Sequence, residues 1–264
     1  MASARLGCVD GRAVFITTLL AGYIDVEKVS GGKLSSDPMS CFEHWAEVCK
    51  VATNLSQADE SSAIELDANK LECPVPRPRQ IFAIGINYKA HAAEMNNPLP
   101  KEPLVFTKFQ SSLNSPNGAL TLVGEKCDFE AELVAVIAKG GRNISASEAW
   151  GHVAGLCVGQ DVSDRALQYA NTPPQFSLGK SRAGFTPIGP WITDAASLTT
   201  RSNLEMTCRV SGEIMQHTQT DDMIFEIPEI IRYLSSICEL FPGDVIYTGT
   251  PSGVGKGRTP QRFL

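Results

Sequence analysis

Two glutamates one residue apart open an apolar segment in the middle of the chain. The segment reads CDFEAELVAVIAKG at positions 127–140, and the acids are Glu130 and Glu132. The Val, Ile and Ala residues from Leu133 onward predict a buried strand. Since a strand alternates its faces, both carboxylates should point to the same side. Burying like charges so close together is costly, so we expect a positive group between them or access of water to both.

A third acid ends the next apolar segment. VAGLCVGQD occupies positions 153–161, and Asp161 stands where a carboxylate can turn outward from the end of a strand. With Glu130 and Glu132 it offers three oxygen ligands of the kind that Mg²⁺, Mn²⁺ and Ca²⁺ prefer, with positions left for water or substrate. The alternative is a solvated sheet face with ordinary surface acids, and the residues alone favour neither interpretation.

Two further segments carry groups that could act on a substrate. His91 and Glu94 lie three residues apart in NYKAHAAEM, on one face if the segment is helical. A histidine fixed by a carboxylate can act as a general base on water, although an exposed helix pair is the commoner meaning of this spacing. Lys180 lies between glycine-rich turns in SLGKSRAGFTPIGP. It could meet a developing oxyanion there, but without context a solvated loop lysine is the stronger interpretation.

Composition and charge exclude several classes of protein. The 264 residues are 43% hydrophobic and 20% charged, as in an ordinary soluble globular protein. A net charge of -6 argues against binding of nucleic acid, which requires a basic face. We find no apolar run of the ~18 residues that a membrane span needs. The eight cysteines form no C-x-x-C motif, so we expect a reducing, cytoplasmic location.

The chain divides at a proline-rich segment. ECPVPRPRQ, residues 72–80, has prolines at alternate positions that favour an extended linker. We therefore predict a weakly patterned N-terminal domain, 1–74, and a second domain, 75–264, that carries the candidate site residues. The patterns beyond the linker are mostly those of strands, with a helix near SASEAWGHV and another capped at Thr220 in TDDMIFEIPEIIRYLSSI. They predict an α+β fold, mostly β.

These fragments together resemble the fumarylacetoacetate hydrolase family. They occur in the family's order over residues 80–255, as IGINYKAHAAE, DFEAELVAVI, VGQDVSDRALQ, LGKSRAGFTPIGP, MTCRVSGEIMQ and PGDVIYTGTPSGVG. The resemblance implies a mixed β-sandwich roll, a homodimer and a variable N-terminal domain. Family members usually continue beyond PQRFL with terminal strands, so we expect the C-terminal end to lack them and to leave a sheet edge exposed.

The resemblance also implies roles for particular residues. The metal ligands would be Glu130, Glu132 and Asp161, holding Mg²⁺, or alternatively Mn²⁺ or Ca²⁺. The remaining site residues would be His91 and Glu94 for activation of water, Lys180, Arg165 and Gln168 around the substrate, and Thr250 in the wall of the pocket.

The activity that the resemblance implies is cleavage of a carbon–carbon bond in a dioxo acid or acylpyruvate, of the kind used in aromatic catabolism. The alternative is an isomerase, tautomerase or decarboxylase that acts on a metal-chelated 2-oxo acid of the 2-hydroxyhepta-2,4-diene-1,7-dioate or oxaloacetate type. A third possibility is a catalytically silent member that only binds a 2-oxo acid or serves as an assembly subunit. The presence of both the acid triad and the His–Glu pair argues against that third possibility.

Overall fold

The structure, a computed structural model, describes residues 4–264 and contains sixteen strands and eight α-helices in that range. The strands are β1 (Arg5–Val9), β2 (Arg12–Ile16), β3 (Gly22–Asp25), β4 (Ile64–Glu65), β5 (Leu71–Glu72), β6 (Ile81–Gly85), β7 (Leu104–Thr107), β8 (Leu113–Asn114), β9 (Cys127–Asp128), β10 (Ala131–Ile137), β11 (Val153–Gln160), β12 (Ser163–Asp164), β13 (Thr186–Asp194), β14 (Glu205–Val210), β15 (Glu213–Gln219) and β16 (Val245–Tyr247). The helices are α1 (Val26–Val29), α2 (Pro38–Glu43), α3 (Trp45–Thr53), α4 (Gln57–Ser61), α5 (Lys89–Glu94), α6 (Arg165–Gln168), α7 (Phe176–Gly179) and α8 (Ile227–Ile237).

Twelve of the strands form one mixed sheet. Its order is β4, β3, β2, β1, β13, β11, β10, β16, β6 and β7, with β5 paired to β1 and β8 paired to β13. Most neighbours are antiparallel, whereas β16 and β6, and β13 and β8, run in parallel. β14 and β15 form a separate hairpin around Gly212, as the sequence predicts. The predicted α+β fold dominated by strands is confirmed.

The strand that follows Glu130 lies in the middle of this sheet. All seven residues of β10 are buried, and β11 and β16 flank it. Its odd-numbered residues, such as Leu133, pack in one apolar core, whereas Val134 and Val136 pack in the other. Because side chains alternate along a strand, Glu132 shares the face of Val134. The alternation along β10 therefore places Glu132 on the side of Val134, while the residues on both sides of the strand are apolar.

The N-terminal region extends the same sheet. β1 pairs with β13, and Leu6, Phe15 and Phe42 belong to the core that contains Val134. The proposed boundary between residues 74 and 75 thus separates segments that share a sheet and a core. The division into two domains stays a prediction, and so does the exposed edge at the C-terminal end.

Two predicted helices differ from the structure. Thr220 does not cap α8, because its hydroxyl accepts a hydrogen bond from the Leu204 N–H at 2.9 Å. The helix begins at Ile227, where Pro228 fixes a helical backbone angle in the first turn. The helix predicted near residue 149 is a single 3₁₀ turn, Ala149–His152. α8, with 11 residues, is the longest helix, and no helix in residues 4–264 is long and apolar enough to cross a membrane.

Candidate active site

The three acids meet because two neighbouring strands bring their ends together. β10 and β11 are antiparallel, with Ala131 opposite Gln160, so the start of one strand lies beside the end of the other. The Asp161 N–H donates to the Glu130 carbonyl at 2.8 Å and extends this pairing by one residue. One carboxylate oxygen from each of Glu130, Glu132 and Asp161 lies within 4.8 Å of the others.

The acids are buried among cations rather than exposed on a solvated face. Lys180 Nζ lies 2.7 Å from Glu130 Oε2 and 2.5 Å from Asp161 Oδ2. Arg165 Nη2 lies 2.6 Å from the other oxygen of Glu130. These contacts place Lys180 between two of the three predicted metal ligands, in a region from which solvent is excluded.

The electrostatic surroundings shift the pKa values of the two glutamates in opposite directions. Burial by itself raises the pKa of Glu130, but Lys180 and Arg165 outweigh it and lower the pKa to about 2. Glu132 has a pKa well above its usual range, first because it is buried and then because Asp161 and Glu130 are close. Its hydrogen-bond donor is the Gly249 N–H, at 2.6 Å. Glu132 is therefore the member of the triad whose charge is least compensated by the protein.

The acid triad fits a divalent cation. All three groups offer hard carboxylate oxygens, which Mg²⁺, Mn²⁺ and Ca²⁺ prefer, and their mutual distances allow one ion to reach all of them. A buried carboxylate without a cationic partner, as at Glu132, is costly unless a positive charge accompanies it. Glu130, Glu132 and Asp161 are thus the residues that would hold the ion.

His91, which is buried, and Glu94, which is partly buried, form a pair. Both lie on α5, and His91 Nδ1 is 2.9 Å from Glu94 Oε2. The other oxygen of Glu94 accepts the Gly253 N–H at 2.8 Å, which fixes the carboxylate. A proton on Nδ1 that is donated to Glu94 leaves the lone pair on Nε2. The exposed helix pair that the spacing alone favours is not what the structure contains, because His91 is only 8% exposed.

Arg165 and Gln168 belong to a buried polar network at α6. Arg165 donates to Asp128 Oδ2 from Nε at 2.8 Å and from Nη2 at 2.7 Å. Its Nη1 donates to Gln168 Oε1 at 2.8 Å. The Thr250 hydroxyl donates to the Ala131 carbonyl at 2.9 Å, next to the triad. These bonds fix the side chains in place around the acids.

A cavity of about 200 Å³ opens onto these groups. Its apolar wall includes Ile84, Phe106 and Phe176. Six of the nine residues predicted from the sequence line it, namely His91, Glu130, Arg165, Gln168, Lys180 and Thr250. The other three do not line the cavity. Glu94 contacts His91, Asp161 contacts Lys180, and Glu132 lies beside the other two acids of the triad.

Sequence reasoning missed two buried residues of the site. Lys108 follows β7, and its Nζ lies 2.5 Å from Asp161 Oδ1, 3.2 Å from the Phe185 carbonyl and in contact with the Lys180 carbonyl. Burial lowers the pKa of Lys108. Asp128 continues the alternation of Glu130 and Glu132, and that spacing was the signal available in the sequence.

Most of the chain matches one protein-family model. The family model for the Fumarylacetoacetate (FAA) hydrolase C-terminal region matches residues 80–264, which contain every residue of the site. The chain belongs to the fumarylacetoacetate hydrolase family. The resemblance inferred from the motifs is confirmed.

Individual relatives of this family member differ in the reactions their names give. Oxaloacetate tautomerase FAHD2A, mitochondrial, from Bos taurus is 43% identical over 193 residues, which make up 72% of this chain and 62% of that protein. The chain thus spans less than two thirds of that relative's length. A solved structure described as a candidate HpcE protein from Mycobacterium smegmatis is 43% identical, with a TM-score of 0.87 over 98% of this chain and 91% of that one.

One solved relative contains a metal. The maleylpyruvate hydrolase from Sphingobium sp. SYK-6, in complex with manganese (II) and pyruvate, is 26% identical. Its TM-score is 0.78, over 95% of this chain and 90% of that one. It supports a divalent cation in the family, whereas the choice of Mg²⁺ for this chain stays a prediction. The homodimer and the cytoplasmic location also stay predictions.

Proposed function

We propose that this family member is a divalent-metal-dependent tautomerase that interconverts the keto and enol forms of a small 2-oxo dicarboxylic acid of the oxaloacetate type. The observation that carries the proposal is the cavity, about 200 Å³, which His91 and Lys180 both line. Tautomerisation requires proton transfer at two atoms of one small molecule, so a base and a cationic donor around a small cavity suit it. The name of the 43% identical Bos taurus relative supports the same reaction.

The residues of the chain would divide the proton transfers between them. His91 Nε2 removes a proton from C3 of the keto form, the C3–H electron pair forms the C2–C3 double bond, and the 2-oxo oxygen takes up a proton. Glu94 stabilises the imidazolium through Nδ1, at 2.9 Å. The Lys180 ammonium, which lines the same cavity, donates to the 2-oxo oxygen as negative charge develops there. A divalent cation, when bound, supplies further positive charge for that oxygen.

The size of the cavity favours a small substrate. Pockets for drug-sized ligands commonly measure ~300–1,000 Å³. A cavity of about 200 Å³ is below that range and suits an acid of a few carbons better than an extended dioxo acid. Apolar side chains, Phe106 and Phe176 among them, form part of the cavity wall, and Phe106 lies beneath the Lys180 ammonium.

The test follows the ultraviolet absorbance of the enol of oxaloacetate in buffer that contains Mg²⁺. We expect the wild-type protein to accelerate loss of the enol without release of carbon dioxide. His91→Ala should lower the rate by about 10²-fold or more, because general acid–base catalysis contributes ~10²–10⁴-fold. His44→Ala, at an exposed position between α2 and α3, is the matched control and should keep the wild-type rate. A wild-type rate in His91→Ala would contradict the assignment of the base.

Hydrolytic cleavage of a carbon–carbon bond is the second candidate function. The observation that favours it is the His91–Glu94 hydrogen bond, since the same base can activate a water molecule. The likeness to the maleylpyruvate hydrolase also supports it. Acetylpyruvate separates the two functions, because a hydrolase converts it to pyruvate and acetate, whereas a tautomerase yields neither product. Formation of both acids at a rate above that of enol–keto exchange would replace the tautomerase proposal.

A further inference from the structure

A lysine outside the predicted site packs against a residue of the cavity wall. Lys256 is in the turn Gly255–Gly257, and its Nζ is 3.3 Å from the centroid of the Tyr169 ring. Tyr169 lines the cavity and is 40% exposed, so the ammonium lies beside a partly exposed part of the cavity wall. An ammonium over an aromatic face is attracted to it and keeps its hydrogen-bond donors available on the other side.

The turn that carries Lys256 is fixed to both halves of the site. The N–H groups of Gly255 and Lys256 donate to the two oxygens of Asp128, at 2.7 Å and 3.0 Å. Asp128 also holds Arg165, which contacts Glu130. On the other side, a β-carbon added to Gly257 would be 2.5 Å from Cδ of Glu94, so the turn packs directly against the carboxylate that orients His91. The position of Lys256 is thus determined by the residues of the active site.

The other cations of the cavity are already paired. Lys180 contacts Glu130 and Asp161, and Arg165 contacts Asp128 and Glu130. Lys256, by contrast, takes part in none of the ion pairs formed by residues 4–264. Its charge is therefore free to pair with an anionic group of a bound molecule.

We infer that Lys256, supported by Tyr169, forms a subsite for the second carboxylate of the substrate and selects dicarboxylic over monocarboxylic 2-oxo acids. The inference rests on the proposed function, in which the 2-oxo acid end of the substrate lies near the acid triad. The remote carboxylate then extends toward the part of the cavity wall where Tyr169 and Lys256 lie. Lys256 acts here as a specificity-determining residue that binds the end of the substrate remote from the reacting atoms.

Calorimetric titration of the Mg²⁺-loaded protein tests the subsite with a matched pair of ligands. 2-Oxoglutarate and 2-oxopentanoate have the same number of carbons and differ in the terminal carboxylate. We expect Lys256→Met to weaken binding of 2-oxoglutarate about fivefold, which is the size of a partly exposed ion pair. Binding of 2-oxopentanoate and of oxalate should stay unchanged. Lys256→Arg should retain most of the affinity, and Lys33→Met, at an exposed position of the N-terminal region, is the control for loss of a positive charge.

Two results overturn the inference in distinguishable ways. In the first result, the wild-type protein binds oxalate, but Lys256→Met changes the affinity for 2-oxoglutarate and 2-oxopentanoate equally or changes neither. Failure of 2-oxoglutarate to bind to a protein that binds oxalate has the same meaning. The subsite is then wrong, and the proposed function stands. If the wild-type protein binds no oxalate in the presence of Mg²⁺, the chelate itself is wrong, and the proposed function fails together with the inference.

Discussion

Glu132→Gln should have opposite effects on the metal-free and the metal-loaded protein. In the metal-free protein the Glu132 carboxylate is buried beside Glu130 and Asp161, and both burial and these neighbours raise its pKa. Glutamine removes the charge but keeps an oxygen that can accept the Gly249 N–H, now 2.6 Å from Glu132 Oε2. We therefore expect the metal-free variant to melt at a higher temperature than the wild type, because glutamine is neutral without the cost of protonating or burying a carboxylate.

The metal-loaded protein should respond in the other direction. A ligand that binds only the folded state at one hundred times its Kd stabilises by about 2.7 kcal/mol. For a chain of this size, each kcal/mol raises the melting temperature by ~2–4 °C, so Mg²⁺ at that concentration should raise it by about 5–10 °C in the wild type. Glu132→Gln supplies one anionic ligand fewer, and most of this increase should disappear.

Thermal unfolding followed by circular dichroism measures both effects on protein treated with a chelator and then titrated with Mg²⁺. Glu125→Gln is the matched control, because this acid is exposed and precedes the triad by only a few residues. It should behave like the wild type in both series. The reasoning is refuted if Glu132→Gln keeps the full increase with Mg²⁺, or if the metal-free variant melts below the metal-free wild type.

Two further predictions concern buried charges. Lys108→Met should destabilise the metal-free protein by about 3–5 kcal/mol in urea unfolding. The reason is that Asp161 Oδ1, which lies 2.5 Å from Lys108 Nζ, loses its cation. A loss of stability below about 1 kcal/mol would contradict this. Burial raises the pKa of Asp244 to about 6, above its value in the unfolded chain, so its contribution to stability should be full below pH ~4 and fall as the pH rises to about 6. Asp244→Asn should flatten that part of the stability–pH curve, and an unchanged slope would show that another group causes it.

The glutamate pair was predictable because a single local rule determines it. The apolar residues of β10 predict a buried strand, and the period of two then places Glu130 and Glu132 on one side. The partner Asp161 required only that the next apolar segment pair with the first, which antiparallel neighbours commonly do. The His91–Glu94 contact likewise follows from helical spacing.

Burial of charged groups was less predictable, because it depends on residues far away in the chain. Lys108 looks like an ordinary lysine after a short strand, and it is buried only because Asp161 and the carbonyls of Lys180 and Phe185 surround it. The start of α8 was missed for a related reason. The Thr220 hydroxyl is engaged by Leu204, which lies in another segment, so it is not available as a helix cap.

The charges around the cavity connect the metal, the substrate and Lys256. Within the described residues, the buried polar network contains four carboxylates, Asp128, Glu130, Glu132 and Asp161, and three cations, Lys108, Lys180 and Arg165. The network therefore has a net charge of -1 when all seven groups are ionised. A proton on Glu132 would neutralise it without metal, in accord with the raised pKa of Glu132.

A divalent cation changes the sign of this balance. It brings the ionised network to one positive charge in excess, which a monocarboxylic 2-oxo acid neutralises by itself. A dicarboxylic acid with a remote carboxylate adds a second negative charge, away from the metal ligands, that the network does not match. Lys256, which packs on Tyr169 and forms no ion pair with any residue in 4–264, supplies the missing positive charge. Preference for dicarboxylic acids in this protein should therefore depend on a residue of the surface turn rather than on the buried metal ligands.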